Sequence, residues 1–243
     1  MTKPVTGGKG LYGQAIGIIM LETQFPRIPG DIGNATTWDF PVAYRIVRGI
    51  DPAMVVRRER PGGLQQFINA ARELEAEGVG AITTGCGFLA PFQEALSNSV
   101  SVPLFTSSLM QVPLVHAMLR KGQTVGIITI DADALTEDHL AAVGADRIPT
   151  VIYGMEIYPS FRPTIIGNRD TLRRTDMEDE IIACGRNMVE DHPEVGAIVL
   201  ECTNMPPYAA ALQEATGLPV FDIFTLTSLV YHAVVRRGFE GFM

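Results

Sequence analysis

The chain has 243 residues, of which 47% are hydrophobic and 19% are charged, and its net charge is −8. These values are typical of a globular protein with one large domain or two small ones. The negative charge argues against a nucleic-acid or anionic-membrane partner, and the lack of any run of about 18 apolar residues argues against a transmembrane helix. Three cysteines in a chain of this length do not make a disulfide framework, which predicts a cytoplasmic protein with free thiols.

Short apolar runs alternate with amphipathic segments along the chain. Strands are predicted at residues 15–21, 79–84, 102–105, 124–130 and 197–200, and helices at residues 63–77, 91–98, 109–120 and 179–190. Strands that alternate with helices form parallel sheets with helices on both faces, so the predicted fold class is α/β.

The second half of the chain repeats the first. When residues 79–119 are set against residues 195–235 without a gap, about a dozen positions are identical, including Cys86 with Cys202 and His116 with His232. The repeat predicts two pseudo-symmetric lobes, each a parallel sheet flanked by helices, with the active-site cleft between them. We place the first lobe at residues 1–108 plus 226–243 and the second at residues 109–225.

Cys86 and Cys202 each follow a predicted strand, and ligands in parallel α/β folds bind beyond the carboxyl ends of the strands. Two opposed thiols can remove a proton from one face of a carbon and return one to the other face. The helix after each cysteine is expected to lower the thiol pKa through its N-terminal amides. We therefore predict that Cys86 and Cys202 are the catalytic acid/base pair, and that Cys184, inside a helix, is structural.

Residues beside the two cysteines, and in the loop after the first strand, are candidates for substrate binding. Arg27 suits a carboxylate because a guanidinium can donate two parallel hydrogen bonds, and the backbone at Gly87 can approach a ligand closely. The predicted set is Glu22, Thr23, Arg27, Thr84, Gly87, Phe88, Thr203 and Asn204. The substrate is predicted to be a small molecule with a carboxylate. No metal is predicted, because the four histidines lack ligand spacing, and the three lysines are poorly placed to hold pyridoxal phosphate.

The ungapped repeat, with one strand-end cysteine in each lobe, resembles the aspartate/glutamate/hydantoin racemase superfamily. The stretch Cys202-Thr203-Asn204 is similar to the second-cysteine motif of that family, and the resemblance extends from Ile16 to Val235. It implies racemisation or epimerisation of a small amino-acid-like acid without a cofactor. It also implies a homo-oligomer, with a dimer as the expected form.

Two positions depart from the pattern of the amino-acid racemases in this family. The first cysteine is followed by Gly87 and Phe88 instead of Asn and Thr, and Asn204 stands where His or Glu is usual. Two alternatives therefore stay open. One is a hydantoin- or allantoin-type racemase, or a maleate cis–trans isomerase, on the same fold. The other is a ligand-binding relative without turnover.

Overall fold

Two four-stranded parallel sheets organise the computed structural model, which describes residues 4–56 and 63–243. The first sheet has the strand order β2-β1-β3-β4. Its strands are β1 (Ile16–Leu21), β2 (Val42–Val47), β3 (Ala81–Thr84) and β4 (Leu104–Phe105). The central strand β1 is buried along its whole length, as expected for a strand of a parallel sheet that is covered on both faces.

The second sheet has the same order, β6-β5-β7-β8. Its strands are β5 (Thr124–Thr129), β6 (Thr150–Gly154), β7 (Val195–Leu200) and β8 (Val220–Phe221). The parallel register places Ile128 of β5 opposite Leu200 of β7, just as Ile19 of β1 lies opposite Thr84 of β3. The two cysteine loops therefore leave equivalent strands at equivalent ends of the two sheets.

Nine α-helices connect the strands within the described ranges, and 3-10 helices begin several of the connections. The α-helices are α1 (Pro52–Val56), α2 (Leu64–Glu77), α3 (Gln93–Ser97), α4 (Val112–Met118), α5 (Glu137–Ala141), α6 (Phe161–Ile166), α7 (Arg174–Asp191), α8 (Ala209–Thr216) and α9 (Ile223–Val234). No helix in residues 4–56 and 63–243 combines the length and the apolar character that a bilayer crossing needs.

The helix that follows the last strand of each sheet packs against the other sheet. Val112 and Val115 of α4 share an apolar cluster with Ile127 of β5. In return, Leu226 of α9 shares a cluster with Ile18 of β1. Each of these helices packs against the sheet of the other half. Apolar contacts therefore join the two halves, in addition to the two places, after β4 and after β8, where the chain passes from one half to the other.

The predicted fold class is confirmed: two parallel sheets flanked by helices form an α/β protein. Three edge strands, β2, β6 and β8, were not predicted. The helix predicted at residues 109–120 begins as a 3-10 helix at Ser108–Gln111 and ends at Met118. The helix predicted at residues 91–98 divides into a 3-10 helix at Gly87–Phe92, which contains Pro91, and α3. The bounds proposed for the two lobes stay a prediction.

Candidate active site

One small pocket lies where the cysteine loops of the two sheets meet. Its cavity volume, taken as the space open to the centre of a water molecule, is about 20 Å³, which is room for about one water. Both Cys86 and Cys202 line it, together with Thr23, Arg27 and Glu201. The remaining walls are the mainly apolar or small residues Leu21, Phe25, Pro52, Val56, Gly85, Gly87, Phe88, Ile130, Ile165, Ile166, Thr203 and Asn204.

Hydrogen bonds between the two halves hold the cysteine loops together. The Thr203 hydroxyl donates to the carbonyl oxygen of Gly85 over 2.8 Å. The Ser108 hydroxyl donates to the carbonyl oxygen of Leu200 over 2.6 Å. Both hydroxyls are fully or almost fully buried, so each would be costly to leave unpaired. The walls that carry Cys86 and Cys202 are thus fixed against each other.

Both thiols are protonated in the resting site. Burial and, to a smaller extent, the charge of Glu201 raise the pKa of the Cys86 thiol to about 12, against the opposing effects of the Phe88 amide and Arg27. Burial also raises the pKa of Cys202 well above its usual value, and Glu201 again adds to the shift. The backbone amides after the cysteines do lower these pKa values, as expected, but burial and the neighbouring carboxylate outweigh them, so the net shift is upwards.

A chain of polar contacts runs from Arg27 to Cys202. The Arg27 guanidinium bonds to Asp31 over 2.8 Å and to the Thr23 hydroxyl over 2.9 Å. Asp31 accepts a 2.6 Å hydrogen bond from Nδ2 of Asn204. The Cys202 thiol lies 3.5 Å from Oδ1 of the same amide and donates to it. Asn204 therefore orients Cys202, while Arg27 keeps further N–H donors for a ligand.

Glu201 is a buried carboxyl group that the sequence reasoning missed. Its side chain is 0% exposed, and its Oε2 accepts a 2.8 Å hydrogen bond from the Thr129 hydroxyl. Burial raises its pKa to about 7, against the opposing effects of Thr129 and the Ile130 amide. The available signal was the repeat itself, which pairs Glu201 with Gly85 and so marks a carboxylate present in only one half.

Most predicted substrate-binding residues line the pocket, but two are placed differently. Thr23, Arg27, Gly87, Phe88, Thr203 and Asn204 are all part of its wall. Glu22 is exposed and lies outside the wall, where its carboxylate binds Arg48 and the Gly49 amide. The Thr84 hydroxyl donates to the carbonyl oxygens of Cys86 and Thr106, so it supports the cysteine loop and does not face a ligand.

A metal-ligand set cannot be named from the part of the chain that the structure describes. No three His, Cys, Asp or Glu side chains in these ranges are grouped closely enough to hold a metal ion. The groups that can act on a ligand here are the thiols of Cys86 and Cys202, the Glu201 carboxyl group and the Arg27 guanidinium.

Comparison with known proteins finds a family model in the second half of the chain and a shared fold in solved structures. Residues 107–227 match the family model described as Asp/Glu/hydantoin racemase. The allantoin racemase from Klebsiella pneumoniae superposes with a TM-score of 0.66 and 13% identity, covering 91% of this chain and 87% of that one. The match places an Asp/Glu/hydantoin racemase domain in the second half of the chain, in agreement with the resemblance inferred from the two-cysteine repeat, and the likeness to the allantoin racemase shows that the fold is shared.

Curated relatives come from one branch of lyases. The chain is 30% identical over 221 residues to dimethylsulfoniopropionate lyase 7 of Emiliania huxleyi (strain CCMP1516), covering 87% of this chain and 64% of the relative. It is 29% identical over 215 residues to the dimethylsulfoniopropionate lyase of Durusdinium sp. clade D, covering 86% and 71%. The chain thus spans less than two thirds of the length of the Emiliania relative. Both names describe lyases, whereas the sequence predicted an isomerase.

Proposed function

We propose that this chain is a lyase that removes a proton α to a carboxylate and expels a β-sulfonium group, with dimethylsulfoniopropionate as its substrate. The main supporting observation is that one small pocket combines two thiols, a guanidinium and a buried carboxyl group. The two curated relatives named above as lyases of this compound add support.

The proposed reaction is a β-elimination. A thiolate takes the proton, the C–H electron pair becomes the second bond between the α- and β-carbons, and the C–S electron pair leaves with sulfur. The products are acrylate, dimethyl sulfide and a protonated thiol. Arg27 binds the substrate carboxylate, which makes the α-proton more acidic by stabilising the charge that develops there.

Cys86 is the better candidate for the base. It is the less buried of the two thiols, and the positive charge of Arg27 favours its ionised form. The Cys202 thiol donates a hydrogen bond to Asn204, and the negative charge of Asp31 disfavours its ionisation. We therefore assign proton removal to Cys86. Cys202 stays a protonated thiol that donates a hydrogen bond from the opposite wall.

A cationic substrate also explains how a thiol with a raised pKa can act as a base. Among the described residues that line the resting pocket, the Arg27 guanidinium is already paired with Asp31, and Glu201 raises the pKa of both thiols. A sulfonium ion brings a positive charge into this buried space, and an opposite charge nearby favours a thiolate. The base is thus expected to ionise only after substrate has bound.

The direct test is to incubate purified protein with dimethylsulfoniopropionate in D₂O. Dimethyl sulfide is measured in the headspace by gas chromatography and acrylate by proton NMR. We expect both products in equal amounts, and a fall in kcat of at least about 10²-fold in Cys86→Ala. Cys184→Ala is the matched control, because Cys184 is a buried thiol of α7 that does not line the pocket. Absence of both products from wild-type protein would contradict the proposal.

A racemase is the second candidate, and the contribution of one thiol from each half of the molecule favours it. The same D₂O experiment is repeated with aspartate, glutamate, hydantoins and allantoin. Solvent deuterium at the α-carbon with inversion, and no elimination from the sulfonium compound, would support racemisation over the lyase reaction.

The homo-oligomer stays a prediction for which gel filtration with light scattering is the measurement.

A further inference from the structure

Glu201 is a costly residue to place where it stands. It follows the last residue of β7 directly and is fully buried, and its Oε1 accepts no hydrogen bond of normal geometry from any residue of the described ranges. No lysine or arginine in those ranges forms an ion pair with it. A buried carboxylate without an ion pair destabilises the folded protein, so a ligand-directed role is the natural explanation.

The first half of the molecule makes room for this carboxylate. A methyl group at Gly87 would overlap both Oε1 and the carbonyl oxygen of Glu201. Gly87 directly follows Cys86, so the free oxygen of Glu201 lies against the loop that carries the other thiol. The repeat has Gly85 at the equivalent position, which makes the pocket asymmetric in charge although it is symmetric in thiols.

The charges around the pocket leave Glu201 as the group to meet a cation. Arg27 and Asp31 neutralise each other at 2.8 Å, and Asp31 is further bonded to Asn204. The ring of Phe88 forms part of the same wall, and an aromatic face also attracts cations. An onium ion has no N–H or O–H to donate, so it pairs best with an oxygen that no donor already occupies.

We infer that Glu201 is the specificity-determining residue of this site: its free oxygen receives a sulfonium or quaternary ammonium group of the substrate while Arg27 receives the carboxylate. The inference rests on the proposed function and adds the residue that selects substrates with a permanently cationic β-group. Thioethers and other neutral analogues of the same shape are disfavoured.

The role has a kinetic signature of its own. The positive charge on sulfur disappears as the C–S bond breaks, so Glu201 stabilises the bound substrate more than the transition state. Its negative charge also raises the pKa of the Cys86 thiol. Replacing it with Gln is therefore expected to raise KM while kcat stays the same or rises, because ground-state binding is lost and the base ionises more easily.

Binding of an isosteric pair tests the inference without turnover. Calorimetry compares 3-(trimethylammonio)propionate with 4,4-dimethylpentanoate, which has carbon in place of the charged nitrogen. We expect wild-type protein to prefer the charged compound by at least about tenfold, and Glu201→Gln to reduce that preference to less than about threefold. Glu214→Gln, an exposed change on α8, is the control and should keep the wild-type preference.

Two binding results would overturn the inference: equal affinity of wild-type protein for the two compounds, or an undiminished charge preference in Glu201→Gln. A fall in kcat at constant KM in that variant, measured with dimethylsulfoniopropionate, would do the same. If circular dichroism shows Glu201→Gln to be unfolded, Glu201→Met removes the same charge and carries the same expectation. Failure of wild-type protein to release dimethyl sulfide would instead overturn the proposed function, so the two failures are distinguishable.

Discussion

The two cysteines share one pocket but not one environment. Arg27 favours ionisation of Cys86, whereas Asp31 disfavours ionisation of Cys202. The Cys202 thiol also donates a hydrogen bond to Asn204. A duplicated fold supplies two similar thiols, and the surrounding side chains then give them different acidities. This difference suits a reaction with one proton removal better than an exchange that runs equally in both directions.

The absence of a side chain at Gly87 leads to a prediction about activity. Gly87→Ala should push Glu201 away from the first half, because the added methyl would overlap its carboxyl and carbonyl oxygens. We expect kcat/KM for dimethylsulfoniopropionate to fall about 10- to 100-fold, since small displacements within a site are costly, with an overpacking cost in stability of about 1–3 kcal/mol.

The matched control for this substitution is Gly85→Ala, beside the same cysteine. Its added methyl would meet mainly the flexible end of Met20, which can move aside, and would not meet Glu201. Activity assays and urea unfolding of both variants separate the effects. Equal activity losses in the two variants would show that contact with Glu201 is not the cause.

At the residue level, the sequence predicted the groups that the repeat makes visible. Cys86 and Cys202 stand at equivalent positions, and the residues that flank them in sequence also line the pocket. Arg27 was predicted because it lies in the loop that follows the first strand and because its guanidinium suits a carboxylate. Glu22 was wrongly expected at the site, because the loop turns after β1 and leaves its carboxylate on Arg48. Asp31 was missed because its bond to Asn204 joins residues 173 positions apart.

The helices α4 and α9 are short, and hydrogen bonds at their first turns hold them in place. Helix α9 begins at Ile223 directly after Asp222, whose carboxylate accepts a 2.8 Å hydrogen bond from the Thr225 amide. Gln111, at the start of α4, donates to the carbonyl oxygen of Asp222 over 2.8 Å. The beginnings of the two exchanged helices thus contact each other, and Asp222 lies at that junction.

We predict that Asp222→Ala unfolds more easily than Asp222→Asn by about 1 kcal/mol, the usual value of an N-cap hydrogen bond. Burial raises the pKa of Asp222 to about 6, so a comparison with wild-type protein would mix charge with capping. Both variants lack the charge, and only Asn keeps an acceptor for the Thr225 amide. Urea unfolding at pH 7 measures the difference, and equal midpoints would mean that the cap contributes nothing.

The central strands were predictable, whereas three of the four edge strands were not. Strands β1 and β7 are buried at every position and read as continuous apolar runs. In β6 every residue is only partly buried, and in β2 buried and exposed residues mix, so neither gives such a run. The exchange of α4 and α9 between the sheets depends on long-range packing, which local spacing in the sequence does not reveal.

Across the whole molecule, function and stability conflict at one buried group. The hydrogen bonds of Ser108 and Thr203 join the two halves around the pocket, so the site is as rigid as the junction itself. Glu201 lies within that junction, with one oxygen that no described residue satisfies. Sites built for ligands often keep such destabilising groups, and their removal commonly stabilises a protein at the expense of activity.

The pH dependence of unfolding should reveal this cost. Burial raises the pKa of Glu201 from 4.5 to about 7 in the folded protein. Below about pH 4.5 the group is protonated in both states and its ionisation costs nothing. As pH rises towards 7, the unfolded state ionises and the folded state does not, so wild-type protein loses stability relative to Glu201→Gln. Above about pH 8 the difference should level off, at about 3 kcal/mol for a shift of this size.

Urea unfolding of wild-type protein and Glu201→Gln at pH 5, 6, 7 and 8 measures the effect as a difference of two free energies. Other titrating groups are common to both proteins and cancel in that difference. We expect Glu201→Gln to become progressively more stable than wild-type protein across this range, while the exposed control Glu214→Gln stays parallel to wild-type protein. A difference independent of pH would mean that Glu201 is not held neutral by burial. A difference that shrinks as pH rises would mean that a positive group pairs with it in the folded protein.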